Sequence, residues 1–183
     1  LFLVSCNKTT LPLFPKGISS VTTGWEGKRS LSAKECKTCH KESHHEWEEG
    51  MHSKAWTDPL FQNAFRIEMQ EWCVNCHAPL LEQKKEFLDK NNLDKSLLAE
   101  GINCAACHIR DGNVLGSKNF KNEYHEVKKF DPLYTSEFCE NCHQFNFPRF
   151  QKDKIHYSTE PMQNTFTEWK NSGTTRSCQD CHY

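Results

Sequence analysis

The chain has 183 residues, with 23 basic against 24 acidic side chains and a formal net charge of −1 at pH 7. That balance argues against a nucleic-acid-binding surface, and no run of about 18 apolar residues exists to span a membrane as a helix. Hydrophobic residues make up 36%; with the glycines the apolar share is roughly 40%, below the usual ~45–50%. Even so, 12 Phe, 5 Trp and 4 Tyr exclude a disordered chain. One domain or two very small ones fit this length, and their side-chain core would be thin. Eleven cysteines and ten histidines therefore ask for an explanation.

The chain opens with Leu3-Val4-Ser5-Cys6. A Leu, an aliphatic residue, a Ser and then a Cys resembles the bacterial lipobox, in which the cysteine is lipidated after signal cleavage, so Cys6 is the expected lipid anchor. An initiator Met and a basic n-region are missing, and the sequence is expected to begin inside a signal peptide. Residues 8–30 carry Pro, Gly, Ser and Thr without periodicity and read as an extended linker. The expected division is a signal-peptide remnant, lipobox and linker over residues 1–30, then one domain over 31–183.

The other ten cysteines form five pairs of one spacing, each followed directly by a histidine. They are Cys36-Lys-Thr-Cys39-His40, Cys73-Val-Asn-Cys76-His77, Cys104-Ala-Ala-Cys107-His108, Cys139-Glu-Asn-Cys142-His143 and Cys178-Gln-Asp-Cys181-His182. Cys-x-x-Cys-His is the c-type haem attachment motif. Two thiols three positions apart lie on one side of a helical turn, where they form thioethers with the two vinyl groups of one porphyrin. The adjacent histidine then offers its imidazole to the iron as proximal ligand. Zinc ribbons use such cysteine pairs in even number and need no following histidine. Thioredoxin-like motifs occur singly beside a βαβ pattern, and a disulfide scaffold does not keep one motif five times. Five c-type haems with their iron are the expected cofactors. Fewer than forty residues accompany each, so porphyrin supplies much of the missing interior. Bacteria attach haem covalently outside the cytoplasm, which implies export to the periplasm or beyond.

The motif starts lie 31 to 39 residues apart, but only the motif itself recurs, and no solenoid signature fills the gaps. After the first motif, Lys41 to about Lys54 reads as a helix, with Asp58-Pro59 beyond its end. Leu80 to Ala99 has a broken helical pattern that predicts two short helices split near Asn91-Asn92. A third candidate helix runs from Pro161 to Ser172, with Phe166 and Trp169 on one face. No segment alternates convincingly as a strand. The expected class is mainly α with extensive irregular loops, organised around five covalently bound haems, and Trp47, Trp56, Trp72 and Trp169 are expected to pack on the porphyrins.

Five histidines lie outside the motifs: His44, His45, His52, His125 and His156. Five irons that each need a distal ligand would use all of them. A filled sixth position gives a low-spin iron that passes electrons with little rearrangement, whereas an open one gives a site for a small substrate. His52, twelve positions after His40, is the best candidate. His40 and His44 lie one helical turn apart on the same face, so His44 or His45 would serve a neighbouring haem, with the other facing solvent. His125, between the third and fourth motifs, is the next candidate, ahead of His156. Met51, Met69 and Met162 could also ligate, although Met more often packs.

Cys36 through Ala55, with Trp47 and His52-Ser-x-Ala55 after the motif, resembles the first haem segment of a large multihaem cytochrome c group. That group includes the tetrahaem cytochromes of ammonia oxidisers, the haem domains of hydroxylamine oxidoreductase and filament-forming bacterial cytochromes. Glu100-Gly-Ile-Asn-Cys-Ala-Ala-Cys-His108 and Phe138-Cys-Glu-Asn-Cys-His-Gln144 look like its middle segments, so the likeness covers residues 33–182. It implies a compact multihaem cytochrome c fold, with stacked and perpendicular haem pairs in a continuous chain, and His52 as distal ligand to a later haem, the third. No Cys-x-x-Cys-Lys motif occurs, so the lysine-ligated catalytic haem of the pentahaem nitrite reductases has no counterpart. The sequence stops at Tyr183, where such proteins often supply another histidine. Either it is truncated, or the fifth haem draws its distal ligand from upstream or from a neighbouring subunit.

The expected function is electron transport by an exported pentahaem cytochrome, periplasmic or at the outer membrane and cell surface, lipid-anchored, between donor and acceptor redox proteins. One alternative is a catalytic oxidoreductase subunit acting on a small nitrogen or sulfur compound at a five-coordinate haem. The other is a protomer of an extracellular cytochrome filament.

Overall fold

The computed structural model describes residues 20–25, 29–151 and 154–182. The lipobox and Cys6 lie outside these residues. The structure is about 46% helical with some sheet, and the helices are short. α1 (Ala33–Lys37) starts at Ser32, whose side chain accepts from the Lys34 N–H at 3.2 Å. The single helix expected over 41–54 is two: α2 (Lys41–Glu49) and α3 (Met51–Lys54), parted by Gly50 in an extended conformation. α4 (Pro59–Ile67) is capped by Asp58, which accepts from the Phe61 N–H at 2.9 Å. Pro59 stands at its first position, where a missing N–H leaves nothing unpaired.

α5 (Glu71–His77) carries the second motif. The segment 80–99 is the expected pair of helices, α6 (Leu81–Leu88) and α7 (Ser96–Ala99). Asn91-Asn92 lies in the break, which is held by Asp89 accepting from both asparagine N–H groups. α8 (Cys104–His108) and α9 (Glu137–His143) hold the third and fourth motifs. α10 is Thr165–Asn171 and α11 is Gln179–His182.

The expectation that no strand forms is overturned. β1 (Ile109–Arg110) and β2 (Asn113–Gly116) form a hairpin through Asp111 and Gly112, at φ 47 and 70. Positive φ at both positions is what a two-residue turn of this kind needs, and Asp-Gly was its legible signal. With β3 (Phe120–Lys121) and β4 (Glu126–Lys129) the order is β1-β2-β4-β3, β2 and β4 being parallel. A separate antiparallel ribbon joins β5 (Phe145–Gln151) to β6 (Lys154–Gln163). Its pattern was hidden for two reasons. Two register shifts, between Phe145 and Asn146 and between Asn146 and Pro148, break the period of two. Pro148 also argues against a strand, yet it is tolerated because each strand of a lone ribbon has a free edge. β6 takes Pro161 to Gln163 from the third expected helix, which begins instead at Thr165.

Among the described residues, buried apolar side chains form three small clusters, each at a motif. Val21, Leu80, Ala105, Ala106 and Ile109 lie behind the third motif. Val74, Ala78 and Leu98 lie behind the second, and Leu115, Leu133 and Phe138 behind the fourth. Part of the expected linker, residues 20–25, is tied into the fold. The Val21 N–H donates to Pro79 O at 2.6 Å, Leu81 N–H to Val21 O at 2.9 Å, and Gly112 N–H to Thr23 O at 2.7 Å. Val21 and Thr23 are buried, so this strap binds the exit of the second motif to the hairpin after the third.

Candidate haem sites

Four motifs lie on or at the start of single helical turns, in α5, α8, α9 and α11; the first spans the end of α1 and the start of α2. In α5 and α8 the two residues between the cysteines, Val74 and Asn75, Ala105 and Ala106, are buried. Those helices therefore turn their intervening residues into the protein and leave the cysteines at its margin. Two of the motif histidines are oriented by backbone carbonyls: His77 Nδ1 lies 2.7 Å from Ala55 O, and His108 Nδ1 lies 3.0 Å from Leu115 O. A proton on Nδ1 satisfies that contact and leaves Nε2 as the basic nitrogen, the form that ligates a metal. The ring of Phe61 stacks on His77 with centroids 3.6 Å apart, which limits its rotation.

Histidines from distant parts of the chain face one another. The rings of His40 and His125 have centroids 6.2 Å apart, and those of His52 and His143 are 6.3 Å apart. A metal–imidazole bond is about 2 Å long and a ring centre lies about 1.1 Å behind its nitrogen, so two imidazoles on opposite sides of one ion have centroids about 6 Å apart. Both pairs meet that spacing, and each joins a motif histidine to one outside the motifs. Among the described residues no three or more His, Cys, Asp or Glu side chains converge as a metal site on their own. The donor set thus fits a haem whose iron would be held by a pair of imidazoles, His40 with His125 and His52 with His143.

Burial lowers the affinity of His52, His77 and His143 for protons; neighbouring His143 and His182 add to this at His52, and His182 at His143. Their neutral rings suit iron ligation. The thiols show which motifs adjoin. A hydrogen bond links Cys36 to Cys104, bringing Cys36 down to about 7 and pushing Cys104 up. The same contact between Cys76 and Cys142 raises the first and lowers the second. Cys139 is pushed up to about 12, chiefly by burial and then by Cys178 and Cys107. Cys107, raised to about 11 by burial, also senses Cys142. Motif one therefore adjoins three, three adjoins four, and two and five both adjoin four.

The comparisons agree with this chemistry. Residues 81–183, more than half of the chain, match the family described as outer membrane cytochrome MtrC/MtrF-like, domains II/IV. The chain belongs to this multihaem cytochrome c family. Residues 35–109 match a second family, cytochrome c554 and c-prime. No curated protein and no solved structure matches. The cytochrome accordingly carries c-type haem with iron, and its function is electron transfer to redox partners.

The structure separates the other histidines of the cytochrome. His44 is buried, edge-on to Trp47 at 5.2 Å, and its Nδ1 has no hydrogen-bond partner. His45 is exposed and lies 3.6 Å from Glu49. His156 is exposed on β6, opposite Arg149. His52, expected opposite the third motif, lies opposite the fourth because α3 packs against the turn that leads into α8. The tryptophans have protein partners: Trp47 donates to Ile102 O at 2.8 Å, Trp56 meets Phe61, Phe65 and Phe87, Trp72 donates to Tyr157 Oη at 3.0 Å, and Trp169 donates to Arg176 O at 2.8 Å. Sequence reasoning missed the carbonyls of Ala55 and Leu115. The second was within reach, since Asp111-Gly112 folds Leu115 back over His108.

Proposed function

We propose that this chain is an exported pentahaem c-type cytochrome that carries electrons between redox proteins. The observation that carries this reading is the facing of His40 by His125 and of His52 by His143 at the spacing of axial ligand pairs. The thioether cysteines would be Cys36 and Cys39, Cys73 and Cys76, Cys104 and Cys107, Cys139 and Cys142, and Cys178 and Cys181. The proximal ligands would be His40, His77, His108, His143 and His182. His125 would serve the first motif and His52 the fourth; His44 is the next distal candidate. His45 and His156 face solvent and are left out of the ligand set. A c-type haem ligated on both axial sides supplies an iron that takes up and returns one electron without exchanging ligands.

The protein side chains do the rest. Ala55 O and Leu115 O hold the proximal imidazoles of His77 and His108 in one tautomer, and burial lowers the proton affinity of His52, His77 and His143. The adjacency of the motifs supports the order one, three, four, with two and five both beside four. The name of the matched family supports an outer-membrane or cell-surface place for the domain; Cys6 would be a lipid anchor on the strength of Leu3-Val4-Ser5-Cys6 alone. Among the described residues no helix is long and apolar enough to cross a membrane.

Haem counting and ferric spectroscopy test this reading together. Intact mass should show five haem additions, and electron paramagnetic resonance of the resting protein should show low-spin bis-histidine signals from the first and fourth motifs. A lower haem count would sink the pentahaem assignment. High-spin iron at the first or fourth motif, or nitrite or hydroxylamine binding there without ligand displacement, would sink the carrier reading.

A further inference from the structure

The turn from Met51 to Ala55 touches three motifs at once. Its His52 ring faces His143 of the fourth motif. Its Ala55 carbonyl orients His77 of the second. Its His52 carbonyl accepts from the Ile102 N–H at 2.9 Å, two residues before Cys104 of the third. What seats the turn is Gly101. That residue has φ 60, where a side chain is strained, and a Cβ there would lie 2.7 Å from His52 O, 3.1 Å from Ala55 N and 3.2 Å from Ser53 O. Both the conformation and the space demand glycine.

Behind Gly101 stands Gln83, which is fully buried. Its Nε2 donates to Gly101 O at 2.7 Å and to Leu97 O at 2.9 Å, and its Oε1 accepts from the Leu80 N–H at 2.9 Å. Leu80 follows His77 by three residues. A closed circuit results, from His77 to Ala55 and His52, across to Gly101, through Gln83 to Leu80 and back to His77. Burying an amide with all these partners in place fixes geometry, because losing any one leaves an unpaired group in the interior.

We propose that Gly101 and Gln83 are positioning residues that set His52 opposite His143 and, through the same turn, set the orientation of His77. The axial ligation of the second and fourth motifs is thereby coupled. This rests on the reading of His52 and His77 as axial ligands. A Cβ at position 101 displaces the turn, withdraws His52 from the fourth motif and moves the acceptor away from His77.

The test uses the mature, haem-loaded protein. Gly101→Ala should turn the iron of the fourth motif from low-spin to high-spin while the signal of the first motif stays intact, and should also shift the midpoint potential of a second haem. Gly173→Ala is the control: Gly173 has φ 73 but nothing within 4 Å of a new Cβ, so it bears the backbone strain without the collision. Its spectrum should be unchanged. Gln83→Met, which removes the three hydrogen bonds at similar volume, should move both readouts the same way by a smaller amount, and it decides the matter where Gly101→Ala does not mature. His52→Ala separates the two levels. If His52→Ala leaves the low-spin signal unchanged, the ligand reading fails and the positioning role with it. If His52→Ala opens one haem while the deciding variant keeps full low-spin content and unshifted potentials, the positioning role alone is overturned.

Discussion

A c-type site needs its histidine aimed at the iron, and in this chain the backbone carbonyls of Ala55 and Leu115 orient His77 and His108. The pairing of His40 with His125 gives a direct expectation. His125→Ala should convert one haem to high-spin and leave the signal of the fourth motif intact, as read by paramagnetic resonance; an unchanged spectrum would remove His125 from the ligand set. A second expectation concerns Glu100, whose carboxylate accepts from the Ser32 hydroxyl, from the Ala33 N–H at 2.9 Å and from Asn103 Nδ2 at 2.8 Å. These bonds lash the helix of the first motif to the approach of the third. Hydrogen bonds to a charged group contribute about 1.5–3 kcal/mol each, and Asn103 is buried. Glu100→Ala should therefore lower unfolding stability by at least about 2 kcal/mol in denaturant titration. The attachment motifs were legible because thioether chemistry dictates their spacing within one turn. The pairing of His52 with His143 was not, since 91 positions separate them and only the packing of α3 against Gly101 decides which imidazole lies opposite.

Among the elements, the break at Asn91-Asn92 that divides α6 from α7 was readable in the sequence, whereas Asp58-Pro59, taken only as lying beyond the preceding helix, opens α4. The strands were not readable, for a physical reason. β1 and β3 are two residues long, too short to show a period, and β5 loses its alternation to Pro148 and to two shifts of register. A lone two-stranded ribbon is marginal in water, so this one needs an anchor. Trp72, next to Cys73, provides it: its ring meets Phe145 at 5.2 Å, Phe150 at 6.3 Å and Tyr157 at 6.5 Å, and its Nε1 donates to Tyr157 Oη. Tyr157→Phe removes the acceptor and keeps the ring. The expected result is a loss of about 0.5–1.5 kcal/mol, with faster amide exchange along β5 and β6 and no change in haem spin state. Unchanged exchange there would show that the ribbon is held elsewhere.

At the scale of the whole molecule, the low apolar content of the sequence reappears as three separate clusters where a chain of this length would ordinarily have one contiguous core. Each cluster lies beside a motif helix, and Cys107 packs against that of Leu115, Leu133 and Phe138. The clusters are bridged by polar devices, the strap at Val21 and Thr23 and the buried Gln83 and Asn103, which orient the parts but contribute little net stability each. Burial of apolar surface is the dominant favourable term in folding, and small domains that bury too little need covalent or cofactor support. The polypeptide alone should fall below that threshold, with covalently held haem supplying the missing apolar contacts. Expressed without haem attachment, the chain should lack a cooperative unfolding transition by circular dichroism and calorimetry and should be cleaved rapidly by protease. The loaded chain should unfold in one cooperative step. A sharp transition in the haem-free chain would show that the three clusters suffice and that haem is a passenger on a finished fold.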